Sequence, residues 1–283
     1  MLPATEFEFV RSLVRRHSGI TLDPDREYLV RSRLQPVGES HGFGSLGELV
    51  RGLQGFANPE LERAVVEAMT TGETSFFRDR HPFEALRTGI LPELIARRAG
   101  VRRLRLWSAA CASGQEAYSL AMLLAEHFPE LADWEVTILA TDLSRPMVER
   151  TREGRYDQVE VSRGLPAGLL TKHFGREGTH WRVVPALRRL VHARQLNLTG
   201  PWPSLERPDV VLLRNVLIYF DEPTRHLILE RARREMSPDG VLFLGSAETA
   251  ATVADQWVRV QRGAATAFQP RLSARFDRIE VSA

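Results

Sequence analysis

Cysteine and lysine are almost absent from this 283-residue sequence, and each absence narrows its chemistry. The only cysteine, Cys111, excludes an internal disulfide and a zinc site built from clustered thiolates. We interpret Cys111 as a packing residue and expect no metal site. Lys172 is the only lysine, so the isoelectric point near 9.0 reflects the use of arginine as much as the net charge of +2.

A long apolar run and the pattern of a signal peptide are also missing. No stretch approaches the roughly 20 apolar residues that cross a bilayer, and the opening MLPATEFEF carries acids where a signal peptide is basic and then apolar. We therefore expect a cytoplasmic protein without membrane insertion. The arginines around Arg98 are not interleaved with aromatic residues, so we expect no nucleic-acid partner.

The first part of the chain has helical periodicity. Apolar residues recur three or four positions apart in residues 7–14 and again in residues 61–69. Turn-forming residues separate such segments, as at Asn58-Pro59, where the proline suits the first turn of a helix. We predict a small all-α N-terminal domain over residues 1–70 and a linker over residues 71–92.

From residue 93 onward, short apolar strands alternate with helices, which predicts a parallel sheet covered on both faces. The predicted elements are 104–108, 115–127, 135–141, 144–154, 208–214, 224–236 and 241–245. Two β-like pieces that flank Gly263 predict a closing hairpin. We therefore predict a doubly wound α/β domain over residues 93–283.

The alternation is interrupted between residues 160 and 200. Residues 181–184 and 190–195 are β-like, and little helix is visible around them. We predict from this pattern a small antiparallel β-subdomain, inserted at about residues 165–197.

Ligands of open α/β sheets bind beyond the carboxyl ends of the strands, so the residues that follow each strand form the candidate site. They are the loop AACASGQE at 109–116, Thr141-Asp142, Asn197-Leu198 and Arg214-Asn215. The loop lacks the G-x-G-x-x-G pattern of dinucleotide sites, and Glu116 would place negative charge where a phosphate should bind. These features disfavour a dinucleotide oxidoreductase.

A ligand with a positive end suits this loop better. S-adenosylmethionine (SAM) has an ammonium and a sulfonium and no phosphate, so Glu116 can pair with its cationic part; alternatively, the carboxylate only stabilises the helix dipole. Asp142 can accept hydrogen bonds from both ribose hydroxyls, or it can cap the following helix. Only the combination of the two acids favours SAM.

Six motifs follow one another along nearly the whole chain. They are TTGETSFFRD at 70–79, LWSAACASGQEAYSLAMLL at 106–124, ILATDLS at 138–144, GRYDQ at 154–158, RNVLIYFD at 214–221 and SPDGVLFLGSAET at 237–249. In this order they resemble the CheR-type chemotaxis receptor methyltransferases. The resemblance implies a helical domain followed by a SAM-binding, Rossmann-like domain with an inserted β-subdomain. It also implies transfer of the SAM methyl group to receptor glutamates, which gives methyl esters and S-adenosylhomocysteine and tunes adaptation.

The resemblance also implies roles for individual residues. The implied cofactor contacts are Thr74, Arg78, Glu116, Asp142, Asn197, Leu198, Arg214 and Asn215. Family members often have asparagine where this chain has Gly72, so we expect one hydrogen bond fewer and modestly weaker SAM binding. An ionised glutamate needs no general base, so we expect catalysis by positioning, with Arg78 and with Tyr219, at the end of the fourth strand, as the aligning residues. Alternatively, Tyr219 is a core aromatic under the sheet.

Substrate recognition is predicted from two features. Arg26, Arg31 and Arg33 lie in one segment, and receptor methylation helices are commonly acidic, so we predict that this segment docks the cytoplasmic domain of a chemoreceptor, although a solvated helix face would carry the same residues. Some family members grip a C-terminal tethering peptide through a longer loop of the β-subdomain. The short loop at 175–180 predicts that no tether is needed here.

Two alternative functions remain open from the sequence. The first is SAM-dependent methylation of another protein or of RNA, for which the arginines near Arg98 would provide contacts. The second is a non-catalytic signalling module that senses SAM or S-adenosylhomocysteine.

Overall fold

The computed structural model describes residues 3–55, 57–250 and 254–271. Its helices are α1 (Ala4–Ser18), α2 (Glu27–Ser40), α3 (Leu46–Gly55), α4 (Pro59–Ala68), α5 (His81–Ala85), α6 (Leu91–Arg98), α7 (Gln115–His127), α8 (Arg145–Glu153), α9 (Gln158–Ser162), α10 (Ala167–His173), α11 (Pro185–Arg188) and α12 (Glu222–Glu235). Its strands are β1 (Arg103–Ala109), β2 (Glu135–Asp142), β3 (Arg155–Tyr156), β4 (Phe174–Glu177), β5 (His180–Val183), β6 (Val191–Gln195), β7 (Val210–Leu213), β8 (Val241–Leu244), β9 (Trp257–Arg262) and β10 (Ala265–Pro270). None of the described helices has the length and apolar character of a membrane span.

Helices α1 to α4 pack around an apolar core of their own. The residues that gave the helical periodicity, among them Val10, Val14, Leu61 and Val65, are buried in it. Helix α4 begins as predicted, because the Asn58 side chain accepts a hydrogen bond from the main-chain nitrogen of Leu61 at 3.1 Å. The predicted all-α N-terminal part is confirmed.

Within the described residues, seven strands form the main sheet, in the order β6-β2-β1-β7-β8-β10-β9. Strands β6, β2, β1, β7 and β8 are parallel, whereas β9 and β10 form an antiparallel hairpin that joins β8. The strand order reverses between β1 and β7, and this switch point is where open α/β sheets bind ligands. The predicted doubly wound fold and its closing hairpin are confirmed.

Both faces of the central strands are buried. Leu104 and Leu106 of β1 belong to an apolar cluster that includes α7, whereas Trp107 and Ala109 belong to a second cluster on the face of α12. Successive side chains of a strand point to opposite faces, so a sheet covered on both sides needs strands that are apolar throughout.

The predicted β-subdomain requires two corrections. Residues 190–195 are not part of an antiparallel insertion, because β6 pairs in parallel with β2 at the edge of the main sheet. Strand β6 is buried on one face only, so its buried and exposed residues alternate. The same alternation is typical of a strand in a surface hairpin, so the pattern does not distinguish the two. The small antiparallel sheet instead has the order β3-β5-β4 and begins at Arg155, and short helices α9 to α11 surround it. Residues 272–283 of the predicted domain lie outside the described residues.

The linker packs against the β-subdomain. The ring of Phe76 is fully buried, with ring centroids of Tyr156 and Phe174 at 5.1 and 5.7 Å. Gly164 contacts the same segment: its φ is +86°, and a Cβ at this position would lie 2.1 Å from the carbonyl oxygen of Phe76. Only glycine therefore allows the β-subdomain to approach the linker this closely.

Gly164→Ala should lower the free energy of unfolding by about 2–4 kcal/mol, because the added methyl group meets the Phe76 carbonyl and alanine disfavours the left-handed backbone. Urea unfolding followed by circular dichroism measures the change. Gly168→Ala is the matched control: Gly168 lies in α10 with nothing within 4 Å of a Cβ, and this change should raise stability by up to about 1 kcal/mol. A Gly164→Ala protein as stable as the wild type would contradict the close approach.

Candidate active site

A cleft lies at the switch point of the sheet, between the N-terminal helices and the linker. The cleft brings together all the residues predicted to contact a cofactor or align the reacting groups: Thr74, Arg78, Glu116, Asp142, Asn197, Leu198, Arg214, Asn215 and Tyr219. It does not include Arg26, Arg31 or Arg33.

The loop between β1 and α7 turns sharply through left-handed backbone conformations. Ala110 and Ala112 have φ values of +53° and +49°, and Gly114 has +89°. A Cβ at Gly114 would lie 2.7 Å from the Thr151 side chain, so glycine is required there. Left-handed alanines cost about 1–2 kcal/mol each, and such strain occurs where a backbone is shaped for a ligand.

Arg214 joins three segments beneath the cleft. Its side chain is 1% exposed, and Nη1 donates to Oε2 of Glu116 at 2.7 Å. Nη2 donates to Oδ2 of Asp79 at 2.6 Å and to the carbonyl oxygen of Arg78 at 2.9 Å. The Nε–H group is buried and has no partner among the described residues.

Glu116 is buried, and both of its carboxylate oxygens have partners. Oε1 accepts a hydrogen bond from the Ser108 hydroxyl at 2.8 Å, and Oε2 accepts the bond from Arg214. Ser108 is a fully buried polar residue of β1, and this contact accounts for its burial. Glu116 is thus fixed in orientation before any ligand binds, and each oxygen retains a lone pair.

The charges around the cleft favour a cationic ligand. Three acids line it, Glu73, Glu116 and Asp142, against two arginines, Arg78 and Arg214. Just outside the lining, Asp79 adds a second carboxylate to Arg214, and Arg163 pairs with Glu73 at 2.7 Å, so an excess of one negative charge remains. SAM carries two positive groups and one carboxylate, so this charge balance fits it better than it fits a phosphate ligand.

Asp142 accepts hydrogen bonds from the main chain of two loops at the cleft, and its predicted contact with ribose hydroxyls stays a prediction. Oδ1 accepts a hydrogen bond from the Ser144 nitrogen, just before α8, and Oδ2 accepts one from the Ala112 nitrogen, each at 2.9 Å. A carboxylate has about four acceptor positions, so two remain for ligand hydroxyls. Burial raises the pKa of this carboxyl, and the main-chain hydrogen bonds partly offset that effect.

The N-terminal helices contribute to the cleft directly. Ser18 and Ile20 line it, and the Asn197 side chain donates to the carbonyl oxygen of His17 at 2.7 Å. The side chain of Arg33 donates to the carbonyl oxygens of Met69 and Thr70, each at 3.0 Å. Arg33 therefore binds the linker wall of the cleft rather than lying free for docking.

The other predicted docking residues lie on the surface. Arg31 is exposed, and Arg26 is exposed and paired with Asp23 at 3.3 Å. Both therefore remain accessible to a partner, in contrast to Arg33.

Tyr219 lies beyond the end of β7, not at the strand end where the sequence placed it. It belongs to the 3-10 turn Leu217–Tyr219, is half-buried, and accepts a main-chain hydrogen bond from Thr21 at 2.8 Å. Arg78 is half-buried in the opposite wall, where it donates to the Glu73 carbonyl oxygen at 3.3 Å. The predicted aligning residues thus belong to the same cleft, and their roles stay predictions.

Two smaller expectations concern Cys111 and Gly72. Cys111 is 2% exposed, and burial, together with the charge of Asp142, raises the pKa of its thiol, as expected of a packing residue. Gly72 is exposed, and a Cβ there would lie 3.3 Å from the flexible side chain of Met147. Among the described residues, no group of histidine, cysteine and acidic side chains is arranged to hold a metal ion.

The sequence reasoning missed the partners that orient the site. The sequence did indicate that Ser108 has a hydrogen-bond partner, because a buried hydroxyl between apolar residues of a strand needs one. Asp79 and Glu248 stand inside the motifs at 70–79 and 237–249, but nothing local shows what they contact. Their partners lie far away in sequence.

The fold and the acid-lined cleft together define a SAM-binding methyltransferase. Residues 72–265 match the family described as "CheR methyltransferase, SAM binding domain", and residues 5–70 match "CheR methyltransferase, all-alpha domain". This chain therefore belongs to the CheR methyltransferase family, and its cofactor is SAM.

Individual relatives are similar over almost their full length. The chain is 43% identical over 260 residues to chemotaxis protein methyltransferase 1 of Pseudomonas aeruginosa, covering 90% of this chain and 94% of that protein. It is 40% identical over 270 residues to chemotaxis protein methyltransferase Cher2 of Pseudomonas putida, covering 94% and 98%. It is 36% identical over 260 residues to a chemotaxis protein methyltransferase of Vibrio parahaemolyticus, covering 90% and 93%.

Cofactor binding should depend on pH through Asp142. Because burial raises the pKa of this carboxyl, it takes up a proton at a higher pH than an exposed aspartate does. Protonation removes acceptor capacity, so the dissociation constant for S-adenosylhomocysteine should rise as the pH falls through the raised pKa and stay constant above it. Titration calorimetry from about pH 4 to pH 8 measures this dependence.

Asp142→Asn is the control for this titration. Its amide cannot ionise, so binding should be weaker than in the wild type and lack the component of the pH dependence that Asp142 contributes. Equal pH dependence in both proteins would exclude Asp142 as its source.

Proposed function

We propose that this protein transfers the methyl group of SAM to glutamate side chains in the cytoplasmic domain of a chemoreceptor. The products are glutamate methyl esters and S-adenosylhomocysteine, which makes the protein a protein-glutamate O-methyltransferase that acts in the cytoplasm. The observation that carries this proposal is the identity of 36–43%, over at least 90% of the chain, with relatives named chemotaxis protein methyltransferases.

Several side chains have the chemistry to bind the cofactor. The free acceptor positions of Asp142 suit the ribose hydroxyls, and the positive charge of Arg214 suits the carboxylate of the methionyl part. The excess negative charge of Glu116 and Asp79 suits its cationic groups. The remaining proposed contacts are Thr74, Arg78, Asn197, Leu198 and Asn215.

The chemistry requires alignment more than acid-base catalysis. SAM, when bound, supplies a methyl group on a positively charged sulfur. A receptor glutamate is ionised at neutral pH and attacks without losing a proton. Tyr219 and Arg78 are therefore assigned to orienting the receptor carboxylate.

The receptor is proposed to dock on the N-terminal helices through Arg26 and Arg31. Both are exposed, and an acidic receptor helix would complement them. A C-terminal tether is not part of the proposal, because only Gly178 and Thr179 connect β4 and β5. No nucleic-acid partner is proposed either.

The direct test is transfer of labelled methyl from SAM to purified receptor cytoplasmic domains, followed by alkaline release as methanol. Methyl esters on glutamate are released by base, whereas methylated RNA bases are not, so the assay separates the RNA alternative. Any turnover excludes the non-catalytic sensor. Absence of label on every receptor of the source organism would overturn the substrate assignment but not the cofactor.

Charge reversal should have different effects at Arg31 and Arg33, which the sequence analysis placed in one docking segment. Arg31→Glu should raise the Michaelis constant for the receptor several-fold and leave S-adenosylhomocysteine affinity unchanged, because Arg31 is exposed and outside the cleft. Arg33→Glu should weaken cofactor binding, because it removes the hydrogen bonds to the linker carbonyls. Steady-state kinetics and calorimetry measure the two effects. Unchanged receptor kinetics in Arg31→Glu would reject docking at this residue.

A further inference from the structure

The carboxylate of Glu248 connects the loop after β8 to the loop after β7. Its Oε2 atom accepts hydrogen bonds from the main-chain nitrogens of Asn215 at 2.7 Å and Gly245 at 2.6 Å. Its Oε1 atom accepts from the nitrogens of Leu217 at 2.7 Å and Ile218 at 3.3 Å. Only a carboxylate can accept from two donors on each side in this way, because the other polar side chains lack a second equivalent oxygen.

The loop that Glu248 binds has 3-10 hydrogen bonds at its end, from the nitrogens of Tyr219 and Phe220 to the carbonyl oxygens of Val216 and Leu217. Asn215 has a left-handed φ of +58°, and the following residues turn into the 3-10 turn that ends at Tyr219. This conformation aims several N–H groups at one point, which is unfavourable unless an acceptor lies there. The carboxylate therefore stabilises the conformation in which Asn215 and Tyr219 line the cleft.

Gly245 shows how closely the two loops pack. A Cβ at this position would lie 2.6 Å from Oε2 of Glu248 and 2.7 Å from Nδ2 of Asn215. No side chain fits between the loops. Glycine at position 245 thus leaves the room in which the carboxylate of Glu248 contacts Asn215.

Glu248 itself does not line the cofactor cleft. It lines a neighbouring pocket, on the other side of Arg214. Any effect of Glu248 on cofactor or substrate must therefore pass through the residues whose main chain it binds.

We propose that Glu248 is a positioning residue for methyl transfer, which orients Asn215 for cofactor binding and Tyr219 for the receptor carboxylate. The second half of this statement rests on the proposed function. The first half requires only that the cleft binds SAM, so it can be tested without a receptor.

Glu248→Gln is the informative change. Glutamine keeps the shape of the side chain, but its NH2 group replaces one oxygen and faces two N–H donors whichever way the amide is turned. The dissociation constant for S-adenosylhomocysteine, measured by calorimetry, should rise about tenfold or more. With receptor, kcat at saturating SAM should also fall by about tenfold or more, because added cofactor cannot reposition Tyr219.

Glu126→Gln is the matched control. Glu126 also accepts from two side chains, Lys172 at 2.7 Å and His173 at 2.6 Å, but it contacts neither loop. Its change should leave S-adenosylhomocysteine affinity within about twofold of the wild type, because Glu126 lies outside the cleft. An unchanged affinity in Glu248→Gln as well would overturn the proposal.

Coupling to Asn215 distinguishes positioning from general destabilisation. If Glu248 acts through Asn215, the double variant Glu248→Gln, Asn215→Ala should bind S-adenosylhomocysteine little worse than Asn215→Ala alone. Full additivity of the two changes would contradict action through Asn215.

Gly245→Ala provides an independent route to the same result if Glu248→Gln does not fold. The added methyl group should displace the carboxylate from Asn215 and weaken S-adenosylhomocysteine binding by a similar factor, whereas wild-type affinity in Gly245→Ala would count against the proposal. A wild-type protein that binds the cofactor but labels no receptor would reject the proposed function and leave the coupling of Glu248 to Asn215 in place.

Discussion

The buried guanidinium of Arg214 is the group on which the site depends. It lies at the end of β7 and binds Glu116 on α7, together with Asp79 and the Arg78 carbonyl of the linker. Arginine presents its donors in a rigid plane, so a single side chain fixes the relative positions of three segments. A buried charge without its partner is strongly destabilising, and the three segments are therefore coupled: none can move without leaving a charge unpaired.

The contacts of Arg214 with these three segments determine both the shape and the charge of the cleft. Two carboxylates on one guanidinium leave an excess of negative charge, which matches the cationic groups of SAM. Glu248 fixes the neighbouring loop through three main-chain donors, from Asn215, Leu217 and Ile218, and accepts a fourth hydrogen bond from Gly245 in its own loop. This chain has one cysteine, and its described residues contain no metal cluster. Charged side chains therefore hold its segments together, as disulfides or metal ions do in other proteins.

The sequence predicted the elements whose signals are local. Periodicity located α1 and α4, apolar runs located β1, β2 and β7, and the absent glycines together with Glu116 and Asp142 pointed to SAM. Interactions between distant residues had no such signal: Arg214 lies 98 residues from Glu116 and 135 from Asp79. For the same reason β6 was assigned to the wrong sheet, since strand direction depends on a partner 53 residues earlier. The contact of Arg33 with the linker likewise could not be foreseen.

The most direct test of this account is cofactor binding by Arg214→Lys, measured by calorimetry with S-adenosylhomocysteine. Arg98→Lys is the matched control, because Arg98 also bridges two aspartates, Asp209 at 2.8 Å and Asp239 at 2.5 Å, away from the cleft. Lysine keeps the charge but not the planar set of donors. The account predicts that Arg214→Lys loses about tenfold or more in affinity while Arg98→Lys binds as the wild type does. Wild-type affinity in Arg214→Lys would contradict it.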